Sequence, residues 1–180
     1  MQSVTLHKTS SFTAICKLLE KGNYAGVLDI VTDAKISLAD VESYVFWDAD
    51  NYTRNCIART ENYELLLLCW EKGQASAIHG HNEQECWVKV IEGNFEEIVY
   101  LYDEVDKNMA VLEHRKLADT DISHLSENTL FHSLRNAKNG RSVSLHLYIK
   151  PINNCKVFNK QTGNFANFKT TYYSVAGKKV

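Results

Sequence analysis

The sequence predicts a mostly β fold, a β-barrel or jelly roll with short α-helices packed against its outside. Apolar residues recur at helical spacing before residue 51 and follow strand patterns after it. Glycine and asparagine turn signals separate these strand patterns at short intervals. Many short strands joined by turns favour an antiparallel barrel over a parallel sheet, in which long helices would alternate with the strands.

The first 50 residues predict three short helices. The first begins at Ser10 or Ser11, whose hydroxyl groups suit a helix N-cap, and ends near Gly22. Its apolar residues share one face: Phe12, Ile15, Leu18 and Leu19. A second short helix is predicted over residues 24–31, and a third begins after Ser37. Such one-sided helices are expected to cover a sheet.

Four segments after residue 51 have the composition of strands. Residues 63–70 form a short apolar run, which predicts a strand buried on both faces. Residues 86–91 and 143–149 alternate, and residues 95–102 are rich in aromatic and β-branched side chains. The alternation over residues 143–149 places three polar side chains on the face opposite the apolar ones: Ser144, His146 and Tyr148. This polar face is either a structural hydrogen-bonded ladder or a functional relay.

Length and composition indicate one globular domain. The chain has 180 residues, of which 44% are hydrophobic and 23% charged, as in ordinary folded domains and unlike disordered chains. No linker or internal repeat divides it. We therefore expect a single domain over residues 1–180, helical over residues 1–50 and a β-barrel over residues 51–180.

Charge and apolar patterning limit the partners. The net charge of −2 and the lack of a basic stripe argue against nucleic acid binding. The longest apolar run, residues 65–70, is far shorter than the about 20 residues of a membrane helix, so no membrane contact is expected. Residues 1–11 are polar and lack the apolar stretch of a signal peptide, which predicts a cytoplasmic protein. No exposed apolar stripe is left over, so a monomer is expected.

The five cysteines are predicted to be reduced and mostly buried. Their number is odd, their spacing is wide, and no Cys-x-x-Cys pair exists. This pattern argues against a zinc ribbon and against a thioredoxin-type redox site.

The densest chemistry is the pair His79 and His81, separated by one residue. In a strand, residues two apart point to the same side, so both imidazoles could bind one metal ion. Such a pair alone is weak evidence, because two packed or surface histidines give the same pattern. Its flanks add information, since Gly73 lies six residues before His79 and Gly93 lies twelve after His81.

These spacings resemble the first motif of the cupin superfamily, and His132 followed by Asn136 resembles part of the second. In a cupin barrel His132 would meet the histidine pair inside and give three metal ligands. The carboxylate position of the first motif falls on Cys86 here. Glu85 is one residue out of register and is expected to face the opposite side. We therefore expect three neutral histidine ligands; Cys86 as a fourth, thiolate ligand would favour zinc or copper instead.

Three longer segments resemble the cysteine dioxygenase family, cupin enzymes that oxidise L-cysteine to cysteine sulfinic acid at ferrous iron. They are Asn-Tyr-Thr-Arg-Asn at residues 51–55, Leu-Cys-Trp at 68–70 and Ser-Leu-His-Leu-Tyr at 144–148. The resemblance implies Fe(2+) held by His79, His81 and His132. It also implies that Arg54, together with Tyr52, binds the substrate carboxylate.

The resemblance assigns roles to the polar strand face as well. Ser144, His146 and Tyr148 match the family's Ser-x-His-x-Tyr relay, which would orient the Tyr148 hydroxyl toward dioxygen and substrate. Cys86 and Tyr148 occupy the positions of the family's thioether crosslink, a cofactor made from the protein itself. Such a crosslink would remove Cys86 as a metal ligand.

The implied reaction suits these residue types. Three neutral imidazoles leave the charge of a ferrous ion uncompensated, which favours an anionic thiolate as a further ligand. The planar guanidinium of Arg54 matches a carboxylate in two parallel hydrogen bonds. Relatives that use 3-mercaptopropionate usually carry glutamine at this position, so Arg54 favours an α-amino acid thiol.

The expected function is an iron-dependent thiol dioxygenase that converts L-cysteine and O₂ to cysteine sulfinic acid, in cysteine catabolism toward taurine and sulfite. Three alternatives remain. The first is a dioxygenase for another small thiol such as 3-mercaptopropionate. The others are a non-catalytic cupin that binds a metal or ligand, and a zinc-bound cupin lyase or isomerase.

Overall fold

The computed structural model describes residues 11–23, 27, 31–81, 84–125 and 130–180. It contains the α-helix α1 (Ser11–Glu20), a 3₁₀ helix (Leu38–Tyr44) and a series of short strands. The strands are β1 (Thr53–Arg59), β2 (Tyr63–Trp70), β3 (His79–Gly80), β4 (Glu85–Glu92), β5 (Phe95–Asp103), β6 (Asn108–Leu117), β7 (Ile122–Leu125), β8 (Leu130–Asn136), β9 (Ser142–Ile149), β10 (Asn154–Asn159), β11 (Asn164–Lys169), β12 (Ser174–Val175) and β13 (Lys178–Lys179).

The strands form two sheets that face each other, and the predicted jelly roll is confirmed. One sheet has the order β13-β12-β1-β2-β9-β4-β7 and the other the order β11-β10-β3-β8-β5-β6. Neighbouring strands are antiparallel except for the parallel pair β1 and β12. Trp70 of the first sheet packs edge-on against Phe95 of the second, with ring centroids 5.6 Å apart. The space between the sheets is therefore a packed core that opens into a cavity at one end.

The predicted helices cover the outer face of the first sheet. Phe12, Ile15 and Leu19 of α1 share one buried cluster with the outward-facing apolar side chains of β2 and β9. Every residue of β2 is buried, as the apolar run predicts. Because Leu145 and Leu147 of β9 pack under the helices, the polar side chains of that strand point inward.

The second and third predicted helices differ from α1 in type or in how much of them is described. The one predicted after Ser37 is a 3₁₀ helix, and its Asp40 carboxylate accepts hydrogen bonds from the Ser37 amide and hydroxyl groups. The one predicted over residues 24–31 lies largely outside the described residues. Of its positions, Val27 and Val31 are described, and both are helical and buried. The predicted cap at Ser10 also lies outside them.

The cysteines are free, and four of the five are buried. None of the helices that the structure describes is long and apolar enough to cross a membrane.

Candidate metal centre and substrate pocket

The two histidines of the sequence pair meet His132 across neighbouring strands. In the second sheet β3 pairs with β8, and the register places His79 directly opposite His132. The His81 Nε2 atom lies 3.3 Å from His79 Nε2 and 3.1 Å from His132 Nε2. Nitrogen atoms bound at about 2.1 Å to one metal ion lie about 3.0–3.4 Å apart, so these positions fit a shared ion.

The hydrogen bonds on the far side of two rings leave their Nε2 lone pairs free. His79 Nδ1 lies 3.0 Å from the Ala77 carbonyl oxygen, and His132 Nδ1 lies 2.7 Å from a Glu97 carboxylate oxygen. Both acceptors require a proton on Nδ1, which leaves Nε2 unprotonated in a neutral ring. Lone pairs that converge at this separation repel each other unless a cation lies between them. The donor set thus fits a metal ion.

Burial keeps His79 and His81 neutral, as a metal ligand must be. Desolvation, with a contribution from nearby His132, lowers the pKa of His79 to about 3. The same two causes lower the pKa of His81 well below its usual value. Within the described ranges, these two and His132 are the one group of side chains arranged to hold a metal ion.

Glu97 supports this centre and was not singled out from the sequence. It is 1% exposed, its Oε1 atom faces His132, and its Oε2 atom accepts a 2.5 Å hydrogen bond from the Ser123 hydroxyl. Burial by itself raises the pKa of a carboxyl group, but the hydrogen bonds from His132 and Ser123 outweigh it, so the pKa of Glu97 is lowered. A glutamate in step with buried Phe95 and Val99 on β5 was the available sequence signal.

Glu97→Gln is expected to weaken metal binding, with Fe(2+) as the probe, by about 10–100-fold, because a neutral amide orients the His132 ring less strongly than a carboxylate does. Competition with a coloured ferrous chelator measures the change. Glu96→Gln is the matched control, since Glu96 is half exposed and pairs with Arg135 outside the centre. Equal iron affinity in the Glu97 variant and the wild type would contradict the prediction.

The histidine trio lies beside a cavity of ≈ 290 Å³ between the sheets. His79 and His81 line it directly, and Tyr148 of β9 and Arg54 of β1 face it from the other sheet. Tyr52, Ile152 and Cys155 complete the walls nearest to Arg54. The cavity therefore brings the predicted metal ligands and the predicted carboxylate-binding residues to one place.

Arg54 lines this cavity and has an unsatisfied hydrogen-bond donor buried at its wall. Its Nε atom donates a 3.3 Å hydrogen bond to the Thr171 carbonyl oxygen. Its Nη2 atom is buried and is the one such side-chain nitrogen or oxygen without a partner in the part of the chain that the structure describes. Leaving a buried charged donor unpaired is costly, so the site favours an anion. Tyr52 stacks on Trp70 beside it, with ring centroids 4.2 Å apart.

The polar face of β9 forms a hydrogen-bonded chain that ends at the cavity. The Ser144 hydroxyl lies 2.8 Å from His146 Nε2, and the Tyr148 hydroxyl lies 3.4 Å from His146 Nδ1. Trp70 extends the chain, because its indole N–H donates a 3.0 Å hydrogen bond to the Ser144 hydroxyl. The sequence predicted Trp70 to lie in a buried strand and in the Leu-Cys-Trp segment at residues 68–70, without a role in the relay. The structure adds its contact with the relay.

Cys86 and Tyr148 lie directly opposite each other on the paired strands β4 and β9. Cys86 is 1% exposed, and burial raises the pKa of its thiol. A thiol with a raised pKa is protonated and a poor metal ligand. Glu85 is exposed, on the side away from the cavity.

The remaining histidines lie elsewhere or are not described. His114 is exposed on β6, and His124 stacks on Trp87, with ring centroids 4.5 Å apart. His7 lies outside the described residues.

A family model of cysteine dioxygenase type I matches residues 8–161. The chain belongs to this family. It is 30% identical to cysteine dioxygenase type 1 from Bos taurus over 139 residues, which is 76% of this chain and 70% of the relative. The human and zebrafish (Danio rerio) proteins of that name are 29% and 25% identical, over 74% and 87% of this chain and 68% and 80% of theirs.

Solved structures with little sequence identity share the fold. A Klebsiella pneumoniae protein with a double-stranded β-helix domain aligns with a TM-score of 0.50 at 17% identity, over 72% of this chain and 95% of its own. A Bacillus halodurans protein aligns with a TM-score of 0.51 at 13% identity, over 64% and 80%. The cysteine dioxygenase family and this fold together indicate a thiol dioxygenase of the cupin type.

Proposed function

We propose that this protein uses ferrous iron to convert L-cysteine and dioxygen to cysteine sulfinic acid, a step of cysteine catabolism toward taurine and sulfite. The observation that carries the proposal is the shared cavity. Two members of the histidine trio, His79 and His81, line it together with Arg54, whose buried Nη2 atom has no partner within the described residues. A small thiol with a carboxylate satisfies both at once. When bound by His79, His81 and His132, iron would supply the electron-transfer chemistry that dioxygen needs to react with a thiolate.

Arg54 would hold the substrate. Its Nε atom is already bonded to the Thr171 carbonyl, whereas its buried Nη2 atom has no partner within the described residues and is left for a carboxylate. Tyr52 would contribute beside it as a hydrogen-bond donor, since burial raises the pKa of its phenol and keeps the group protonated. A carboxylate fixed on this side orients the thiol toward the histidines on the opposite wall.

Tyr148 would supply a hydrogen bond to the reacting groups. Burial, together with the adjacent Cys86, raises the pKa of Tyr148 well above its usual value, so its hydroxyl keeps its proton. Burial lowers the pKa of His146 well below its usual value, so this ring is neutral and bridges Ser144 and Tyr148. The buried chain through Ser144 and Trp70 fixes the direction in which the Tyr148 hydroxyl points.

We also propose the thioether between Cys86 and Tyr148. A C–S bond would form as the S–H bond of Cys86 and a ring C–H bond beside the Tyr148 hydroxyl break. Two electrons and two protons would pass to dioxygen, giving hydrogen peroxide. The direct pairing of the two residues across β4 and β9 supports this step.

Protein incubated with ferrous iron, cysteine and oxygen is expected to contain a fraction that is lighter by two hydrogen atoms. Intact-mass spectrometry detects it, and peptide mapping assigns it to the residues Cys86 and Tyr148. The Cys86→Ala variant should show no such fraction, whereas Cys69→Ala, which removes a buried thiol on the outer face of β2, should retain it. A mass loss that persists in Cys86→Ala would refute the crosslink.

The reaction itself is tested by loading the protein anaerobically with ferrous iron, adding L-cysteine and then ¹⁸O₂, and identifying the product by mass. The proposal expects cysteine sulfinic acid that carries both labelled oxygen atoms. Faster turnover of 3-mercaptopropionate would reassign the substrate. No oxidation of either thiol by the iron-loaded protein would favour a non-catalytic cupin.

A further inference from the structure

Glu64 is a fully buried carboxylate that neither the metal centre nor the relay uses. It lies on the inner face of β2 with 0% exposure. Its carboxylate accepts a 3.0 Å hydrogen bond from Arg59 Nη1, a hydrogen bond from the Tyr172 hydroxyl and a 3.3 Å hydrogen bond from the Ile152 amide. A buried charge with this many donors is held in one position.

The partners of Glu64 come from segments that form the cavity walls. Ile152 lies in the connection between β9 and β10 and lines the cavity. Tyr172 follows β11 and is preceded by two further lining residues, Thr170 and Thr171. The Thr170 hydroxyl donates a 2.7 Å hydrogen bond to the Ile152 carbonyl oxygen, so the two segments are also joined directly.

One of these segments positions Arg54. The Thr171 carbonyl oxygen accepts from Arg54 Nε at 3.3 Å, and the next residue along the chain is Tyr172. A continuous path therefore leads from Glu64 through the Tyr172 hydroxyl and the Thr171 carbonyl to the guanidinium group. Burial and the hydrogen bond to Glu64 raise the pKa of Tyr172 to about 12, so its hydroxyl remains a donor.

We infer that Glu64 and Tyr172 are positioning residues for the carboxylate of the substrate. They fix residues 170–173 so that the Thr171 carbonyl occupies Arg54 Nε and holds the guanidinium group at the cavity wall, with its Nη2 atom left for the carboxylate. A long arginine side chain that is already ordered loses less conformational freedom when the substrate binds, which strengthens binding. This inference rests on the proposed function, because it assumes that Arg54 binds the substrate carboxylate.

The test compares two ligands that share a thiol and an amine and differ in the carboxylate, L-cysteine and cysteamine. Each is titrated anaerobically into the ferrous enzyme by calorimetry. In Tyr172→Phe the dissociation constant of L-cysteine is expected to rise roughly tenfold, the effect of losing one hydrogen bond to a charged group. That of cysteamine should stay unchanged. In oxygen-uptake assays KM for L-cysteine should rise by a similar factor, with kcat within about twofold.

Glu64→Gln is the second variant and should shift the same two ligands in the same way. Tyr100→Phe is the matched control, because it removes another tyrosine hydroxyl. That hydroxyl lies 3.3 Å from the Ser133 hydroxyl, and neither residue lines the cavity. Thermal unfolding of each variant shows whether the fold is retained.

Two outcomes overturn the inference: equal weakening of both ligands, which would indicate a general structural role, and unchanged binding of L-cysteine in both variants. The companion variant Arg54→Ala separates a failure of the proposed function from a failure of the inference about Glu64 and Tyr172. If it fails to distinguish L-cysteine from cysteamine, the carboxylate assignment in the proposed function is wrong. If it distinguishes them while the Tyr172 and Glu64 variants do not, the inference alone fails.

Discussion

Replacing His132 with alanine is expected to abolish both iron retention and oxygen uptake with cysteine. In His132→Ala the imidazoles of His79 and His81 remain, and the ligand that β8 contributes to the metal centre is lost. A structural zinc site binds with about 10–16 kcal/mol from four ligands, or about 3 kcal/mol for each. Losing one ligand therefore weakens metal binding by a factor of about 100 or more. Iron analysis after gel filtration and an oxygen electrode measure the two losses.

His114→Ala is the control for this prediction. It removes an imidazole from the exposed strand β6, outside the cavity, and should leave iron content and oxygen uptake unchanged. Oxygen uptake at the wild-type rate in His132→Ala would show that the ligand assignment is wrong.

Replacing Arg54 with alanine is expected to weaken the use of L-cysteine far more than the use of a thiol that lacks a carboxylate. The variant removes a buried cation whose Nη2 atom has no partner of its own within the described residues. Truncating one partner of a buried charged pair costs about 2–5 kcal/mol, so kcat/KM for L-cysteine should fall by about 100-fold. With cysteamine the same parameter should change little. Steady-state oxygen uptake with both thiols measures the difference.

Arg54→Lys adds a graded comparison. Lysine keeps the charge but loses the planar fork, so partial recovery of cysteine use relative to the alanine variant is expected. Arg135→Ala serves as the control, since this arginine is half exposed and pairs with Glu96 on the outside. Equal losses with both thiols in Arg54→Ala would count against a carboxylate-binding role.

Much of the fold could be predicted because it follows from local patterns. The period of two in residues 143–149 separated the side chains that pack under the helices from those that face the cavity. The short apolar run in β2 predicted burial on both faces, and every residue there is buried. The type of the helix after Ser37 was harder to predict, because a capping serine and an aspartate favour the first turn of an α-helix and of a 3₁₀ helix alike.

The supporting residues of the site were harder to predict. Glu97 and Glu64 do not look like site residues when the sequence is considered alone, since charged residues are seldom buried without partners. Their partners lie far away in the chain: His132 is 35 residues from Glu97, and Tyr172 is 108 residues from Glu64. Only the strand order reveals that these carboxylates are buried and paired.

By itself, the sequence determined which residue types could meet and which side of each strand they occupy. His79 and His81 are two residues apart, so backbone geometry alone brings their rings together. The tertiary structure decided that His132 completes the trio and that Arg54 faces it. These residues lie on different strands, and their approach depends on long-range pairing, such as that of β3 with β8. That pairing is stabilised by the burial of the whole core, which no local segment encodes.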